Sequence, residues 1–325
     1  MLYPLKFKPI LKELIWGGDK ICRFKDLSPI KDGIGESWEI SDVKNNVSVV
    51  AEGALAGKNL DELIAEYGEK LLGKHVIERF GTTFPLLIKF IDAQTPLSVQ
   101  VHPDDALAKL RHNSFGKTEM WYVVKAAPDA YLYSGFSRQI TPEEYVKSLE
   151  NDSFINYLQK HEVKEGDVFF LPAGRVHAIG SGCFIAEIQQ TSDITYRIYD
   201  YNRRDANGNP RELHTELAKD AIDYNVYPDY RVSYDQNASF SKLAKCKYFT
   251  TELYETEKKN RFIFPNITGM FNIFICLAGQ LKITDTNGKS ATLKQGETAL
   301  VAAENHYVDL KLSEATRILR VFIEK

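Results

Sequence analysis

Residues 166–180 read "GDVFFLPAGRVHAIG", and the fold turns on how this stretch is parsed. Gly166 and Asp167 make a turn into a short apolar strand, Pro172 ends that strand without needing a ladder donor, and Gly174 permits a tight bend. His177 then points back inward. A turn, a proline stop, a glycine bend and a histidine turned back inward describe a short buried strand followed by a polar group.

The neighbouring sequence is built the same way. "ESWEIS", "PLLIKFID", "PLSVQV", "EMWYVV", "CFIAEIQQ" and "ITYRIYD" are short runs rich in β-branched and aromatic residues, separated by polar, Gly or Pro punctuation. Many short strands imply a sandwich or barrel. The pattern resumes near residue 245 with "KYFTTELYE", "FNIFICLAG", "QLKITDTNGKSATL" and "TALVAAE". The expectation is a mainly β protein of two barrels, residues 1–240 and 241–325, joined by a Tyr- and Asp-rich segment around Asp223 to Asp235. In "TNGK", Asn287 and Gly288 both tolerate positive φ, which predicts a type I′ hairpin turn.

Helices are fewer and read as insertions. "KNLDELIAEYGEKLLGK" places Leu60, Leu63, Ile64, Tyr67 and Leu71 near a 3.6-residue period and predicts one amphipathic surface helix. "TPEEYVKSLE" has Thr141 as N-cap, Pro142 at the first helical position and Glu144 at the third, a capping box. "NPRELHTELAKDAI" repeats that device with Asn209, Pro210 and Glu212.

Composition narrows the class. Apolar residues are 44% and charged residues 26% of the 325, as in ordinary globular proteins. A formal charge of −3 from intermixed acids and bases leaves no broad footprint for nucleic acid or an anionic membrane. The four cysteines are far apart and form no CxxC pair, which points to free thiols in a reducing compartment. With neither signal-peptide pattern nor long apolar run, the expected location is the cytoplasm.

In "PLSVQVHPDD", Pro96 to Asp105, strand alternation puts Ser98, Gln100 and His102 on one face and Leu97, Val99 and Val101 on the other. Alone, this describes a half-exposed strand with a polar outside. Asp104 suits a helix N-cap after the proline. In "TYRIYD", Thr195, Arg197 and Tyr199 share a face, and Arg197 points into the interior if Ile194, Tyr196 and Ile198 pack outward on a helix.

The spacing from Gly166 through Pro172 and Gly174 to His177 resembles the second sequence motif of the cupin superfamily, whose histidine enters the barrel and binds a metal. Gln100-x-His102 followed by Glu119 in "GKTEMWY" takes the part of the first motif. The ligand set this implies is Gln100, His102, Glu119 and His177. Two imidazoles, a carboxylate and an amide suit a borderline divalent ion such as zinc.

A closer resemblance covers essentially the whole chain. "LIWGG", "GESWEIS", "LLIKFIDAQTPLSVQVHPDD", "GKTEMWYVV", "FFLPAGRVHAIG" and "EIQQTSDITYRIYDYNR" occur in the order found in type I phosphomannose isomerases of the short bacterial form. That resemblance implies interconversion of mannose 6-phosphate and fructose 6-phosphate through a cis-enediolate, with one zinc ion per chain on Gln100, His102, Glu119 and His177. It assigns Arg197 as the catalytic arginine, with Asp193 four residues before it to orient it or act on a proton, and leaves Asp193, Lys117 and a zinc-bound water as the open choices for the catalytic base. Lys117 is a candidate for contact with the sugar or its phosphate, Arg203 and Arg204 for the phosphate, and Glu36 or Trp38 for the pocket mouth.

The expected partner is a small sugar phosphate, with neither nucleic acid nor membrane, and a homodimer is left open. Another metal-dependent cupin enzyme (an epimerase or dioxygenase) and a non-catalytic sugar-phosphate sensor are the competing readings. In the second barrel Ala302, Glu304 and Tyr307 replace the motif's Pro, Gly and His, and His306 is out of phase, so no metal is expected there.

Overall fold

A computed structural model describes residues 2–204, 207–266 and 269–325. Apart from the small hairpin of Asp42–Val43 and Asn46–Val47, the described strands form two pairs of antiparallel sheets. The first pair joins a six-stranded sheet, in the order Val168–Leu171, Glu119–Ala126, Cys183–Gln190, Leu86–Ala93, Ile34–Ile40, Ile10–Gly18, to a five-stranded sheet, in the order Leu158–Glu162, Tyr131–Phe136, His177–Ile179, Val99–Val101, Tyr196–Tyr199. Trp121, Phe169, Leu171 and Ile185 of the one meet Leu132 and Ile179 of the other in a common core. The second pair has six strands, running from Leu5–Lys6 through Thr298–Val301, Asn272–Ala278, Thr316–Phe322 and Thr250–Thr256 to Phe240–Lys245. Against it lie the four strands Asn260–Pro265, Tyr307–Leu312, Gln280–Thr284 and Ser290–Lys294. The mainly β, two-barrel architecture is as the sequence implied.

The two six-stranded sheets pack back to back. Ile88, Phe90, Met120, Tyr122 and Phe184 from the first share a core with Phe249, Leu253, Ile273, Leu319 and Val321 from the second. Burying each such side chain contributes about 1.5–3 kcal/mol. One consequence matters for the site: Leu86–Ala93 and Cys183–Gln190 are buried at every position. One face of each is covered by the second barrel, so whatever the other face carries must point into the first barrel. The N-terminal Leu5–Lys6 adds a second link, since Leu5 pairs with Leu300.

Three local expectations are corrected. The single helix over 58–74 is three short ones, Leu60–Tyr67, Glu69–Leu72 and Lys74–Phe80. The breaks fall at Gly68 and Gly73, with φ of 48° and 91°, conformations that L side chains resist. At Gly73 an added Cβ would lie 2.2 Å from the Gly269 carbonyl oxygen, so close approach to the second barrel outweighs helical periodicity. The helix expected from Asn209 starts only at Thr215 and runs to Ala221, with His214 as N-cap. The stretch before it is drawn away, because the Arg211 guanidinium binds Asp200 and the Glu212 carbonyl accepts from Arg197. The Asp285–Lys289 turn has positive φ at Gly288 and not at Asn287. Asp285 accepts from the backbone N–H groups of Asn287 and Lys289, giving the longer turn that ends in one left-handed residue.

The capping box of Thr141 and Glu144 is present on the helix Pro142–Glu150. Asp104 caps the helix Asp105–His112 through the Leu107 N–H at 2.8 Å. The segment around Asp223 to Asp235 is tied to the first barrel, with the Tyr230 hydroxyl donating to the Phe136 carbonyl and the Val232 N–H to the Val168 carbonyl. Among the described residues no helix is long and apolar enough to cross a membrane.

Candidate active site

Strand pairing lines up the first polar row. In the five-stranded sheet His177 stands opposite Gln100, and Gln100 opposite Arg197. Directly paired residues share a face, so an imidazole, an amide and a guanidinium project side by side from three adjacent strands. Tyr196 and Ile198 are buried on the far side against Ala218 and Leu217 of the helix Thr215–Ala221. That packing turns Arg197 inward. The facing sheet contributes a second row. Trp38 stands opposite Lys89, Lys89 opposite Glu187, and Glu187 opposite Trp121. Glu119 lies two residues before Trp121 and so on the same face.

Three of these groups converge. His102 Nε2 lies 3.3 Å from Glu119 Oε1, and His177 Nε2 lies 3.7 Å from Glu119 Oε2. The ligand atoms of His102, Glu119 and His177 all fall within 4.8 Å of one another, and all three residues are buried. The other ring nitrogens are engaged: His102 Nδ1 donates to the Ile194 carbonyl at 2.9 Å and His177 Nδ1 to the Arg175 carbonyl at 2.8 Å, with the proton placed on Nδ1 because a carbonyl can only accept. Each Nε2 is thereby left as a lone pair aimed at the centre, the arrangement of metal-bound histidines. Both Nε2 atoms and both Glu119 oxygens lack a hydrogen-bond partner. Lys117 Nζ, 2.9 Å from Glu119 Oε1, forms an ion pair there without hydrogen-bond geometry. A buried polar atom left so costs about 1–3 kcal/mol, and four of them at one point call for a common partner. Two neutral nitrogens and a carboxylate, with the Gln100 amide beside them, fit a divalent metal ion.

Electrostatics favour the metal-ready state. Burial, and then the Lys117 charge, push His102 down to about 3, so its ring is neutral at pH 7. Burial also lowers His177. For Glu119 burial works the other way, but Lys117 and the histidines outweigh it and hold the carboxyl well below its usual range.

A cavity of 680 Å³ opens beside this centre. Among the sequence-predicted residues, Glu36, Trp38, Gln100, Lys117, Asp193 and Arg197 line it. Arg197 donates to the Glu212 carbonyl at 2.9 Å and keeps its Nε free of partners. Arg203 is placed elsewhere: its guanidinium is taken up by Asp200 and the Pro96 carbonyl, and it does not line the cavity. Arg204 is engaged by the Gly208 carbonyl. Arg211 lines the cavity in their stead, held by Asp200 Oδ2 at 2.7 Å.

Sequence reasoning also missed Lys89 and Glu187, both cavity-lining. Lys89 Nζ lies 3.3 Å from Glu187 and 3.8 Å from Glu36. The Trp121 indole donates to Glu187 at 2.7 Å, and the Trp38 indole to Glu36 at 2.6 Å. Burial lowers the Lys89 pKa, but Glu36 and Glu187 more than offset this and hold it charged. Burial, and then Glu119, raise that of Glu187. The available signal was a lysine and a glutamate each flanked by apolar residues within a strand.

Residues 5–132 match the catalytic domain of type I phosphomannose isomerase. Mannose-6-phosphate isomerase ManA of Bacillus subtilis is 40% identical over 251 residues, 76% of this chain and 78% of that protein. The mannose-6-phosphate isomerase of Streptococcus mutans is 40% identical over 222 residues, 68% of each chain. The crystal structure of the Bacillus subtilis mannose 6-phosphate isomerase superposes with a TM-score of 0.85 at 29% identity, covering 98% of this chain and 99% of that one. With the identity, the coverage and the superposed barrels in agreement, this chain belongs to the type I phosphomannose isomerase family.

Proposed function

We propose that the chain interconverts D-mannose 6-phosphate and D-fructose 6-phosphate, using one zinc ion held by Gln100, His102, Glu119 and His177. The observation that carries this reading is the set of four unpartnered buried atoms on His102, Glu119 and His177 beside a cavity edged with cations. A volume of 680 Å³ suits a small sugar phosphate. When bound, zinc supplies Lewis acidity and a fixed positive charge.

In this reading Arg197 and Lys117 stabilise the negative oxygen of the enediolate as the proton passes between C1 and C2. Arg197 and Arg211 together offer two guanidinium forks for the phosphate. Arg203 supports Arg211 through their shared Asp200 instead of touching substrate. Trp38, stacked near the Lys89 ammonium, forms a wall for the sugar. Two carboxylates on the cavity are candidates for the proton transfer. Asp193 is exposed, whereas Glu187 is buried with a raised pKa, the property a base working near neutral pH needs. Residues 1–240 act as the catalytic unit and 241–325 as a barrel without metal. Free thiols at all four cysteines accord with a cytoplasmic setting.

The test is direct: incubate the protein with mannose 6-phosphate and follow fructose 6-phosphate, with oxygen uptake recorded in parallel. Conversion without oxygen consumption is expected. No conversion by protein carrying a full complement of zinc overturns the reading.

A further inference from the structure

We infer that Tyr248, a residue of the second barrel, positions the loop that carries Lys117 and leads into Glu119, acting through Asp105 and Gln190. This rests on the assignment of Lys117 and Glu119 to the site.

Tyr248 lies in the turn between the strands Phe240–Lys245 and Thr250–Thr256. Its hydroxyl donates to Asp105 Oδ2. The other oxygen of the same carboxylate, Oδ1, accepts from the Gly116 N–H at 3.0 Å and from Gln190 Nε2 at 3.0 Å. Gln190 completes the circuit: its Oε1 accepts from the Thr118 N–H at 2.9 Å, and its own N–H donates to the Thr118 carbonyl at 3.1 Å. Between these two anchors the Lys117 N–H donates to the Pro103 carbonyl at 3.1 Å. Every N–H of Gly116, Lys117 and Thr118 is therefore held, two of the three by side chains in the Asp105–Gln190 pair.

The loop has no slack. An added Cβ at Gly116 would lie 2.5 Å from the Asp105 backbone nitrogen and 2.6 Å from the Asp104 carbonyl carbon, so the loop is pressed onto the start of the helix Asp105–His112. The weak point is Asp105 itself, whose side chain keeps 42% of its surface exposed and is not fixed by packing. Its aim depends on the hydroxyl of Tyr248, a residue buried as a whole, with Lys247 adding a looser ion pair at 3.5 Å. If the carboxylate turns, Gly116 and Gln190 lose an acceptor together, and the loop can shift. Lys117 Nζ and Glu119 Oε1 are 2.9 Å apart at its end. A displacement well under 1 Å there is enough to spoil a catalytic arrangement.

The variant Tyr248→Phe keeps the ring, and with it the packing, and removes the hydroxyl alone. For the full-length zinc protein, kcat should fall about tenfold with KM within about twofold. The thermal midpoint should move by no more than about two degrees. Release of zinc to a competing chelator should quicken by about tenfold, because Glu119 is less well held. Asp105→Asn should show the same pattern, and the double variant should be no worse than Asp105→Asn alone. Turnover and zinc release at wild-type rates in folded Tyr248→Phe overturn the inference, as do fully additive losses in the double variant. Zinc release is read without substrate, so it decides this inference even if the wild type fails to isomerise mannose 6-phosphate, a result that would count against the proposed reaction alone.

Discussion

Across the six-stranded sheet of the first barrel Lys89 stands opposite Glu187, and Glu187 opposite Trp121; across that of the second, Glu252 stands opposite Arg320, and Arg320 opposite Phe274. The two rows occupy corresponding strands and carry an ion pair of reversed order. Two residues before the aromatic, the first barrel has Glu119 and the second Asn272. In the second barrel the Arg320 guanidinium donates to Asn272 Oδ1 at 2.8 Å and to Glu252 at 3.1 Å, and the Tyr254 hydroxyl donates to Glu252 at 2.8 Å. The charged groups there satisfy one another. In the first barrel the Glu119 oxygens and both histidine Nε2 atoms do not, although they are equally buried. The contrast teaches what separates a structural polar row from a reactive one on the same scaffold: whether the row's acceptors find donors within the protein.

That difference can be attacked from both sides. The largest effect is expected at Arg197, whose replacement by alanine should lower turnover by about a thousandfold, ~4 kcal/mol of transition-state stabilisation. Zinc content should stay near one per chain, and elemental analysis beside steady-state rates checks both; loss of metal would show that Arg197 supports the metal and not the sugar. The mirror-image change is Arg320→Ala. It leaves Glu252 buried without its cation and should cost roughly 3 kcal/mol of stability in denaturant titrations, with turnover of the folded protein unchanged. Reduced turnover at full folding would mean that the second barrel's row takes part in the chemistry.

A smaller effect follows from pH. His102 titrates near 3 in the folded protein against an ordinary 6.5. Below pH 6.5 the unfolded chain therefore takes up a proton that the folded state refuses, and stability is lost progressively as the pH falls toward 3. His177 is lowered in the same direction. Metal-free protein should lose about 1 kcal/mol through His102 for each pH unit below that point, with His177 adding to the loss in the same direction. Urea midpoints at successive pH values in the presence of a chelator measure the slope. His102→Gln should flatten it.

Much of this was legible in the sequence, and the omissions have a physical cause. His102, Glu119 and His177 stand at strand ends, with Gln100 within the short strand before His102, near Pro103, Pro172 and Gly174, where the punctuation that stops a strand also marks where its side chains aim. Arg197 could be oriented because its neighbours alternate. Lys89 and Glu187 were hidden because their strands are buried on both faces, so the period-two pattern that separates inside from outside is lost. Arg211 was concealed by a capping-box sequence that the fold does not use, and Arg203 looked like a ligand contact because a charged loop does not reveal which arginine Asp200 will capture. The three-part helix shows the same limit: periodicity reports a face, but contact with another barrel decided where the chain turned.

The central claim is that the unpartnered row of the first barrel is a metal site and the satisfied row of the second is not. Zinc titrated into chelator-stripped protein, followed by calorimetry, tests it most directly. One equivalent should bind tightly to the wild type and to Arg320→Ala, with that binding abolished in Glu119→Gln. Equally tight binding of one equivalent to Glu119→Gln would contradict the claim and place the metal elsewhere.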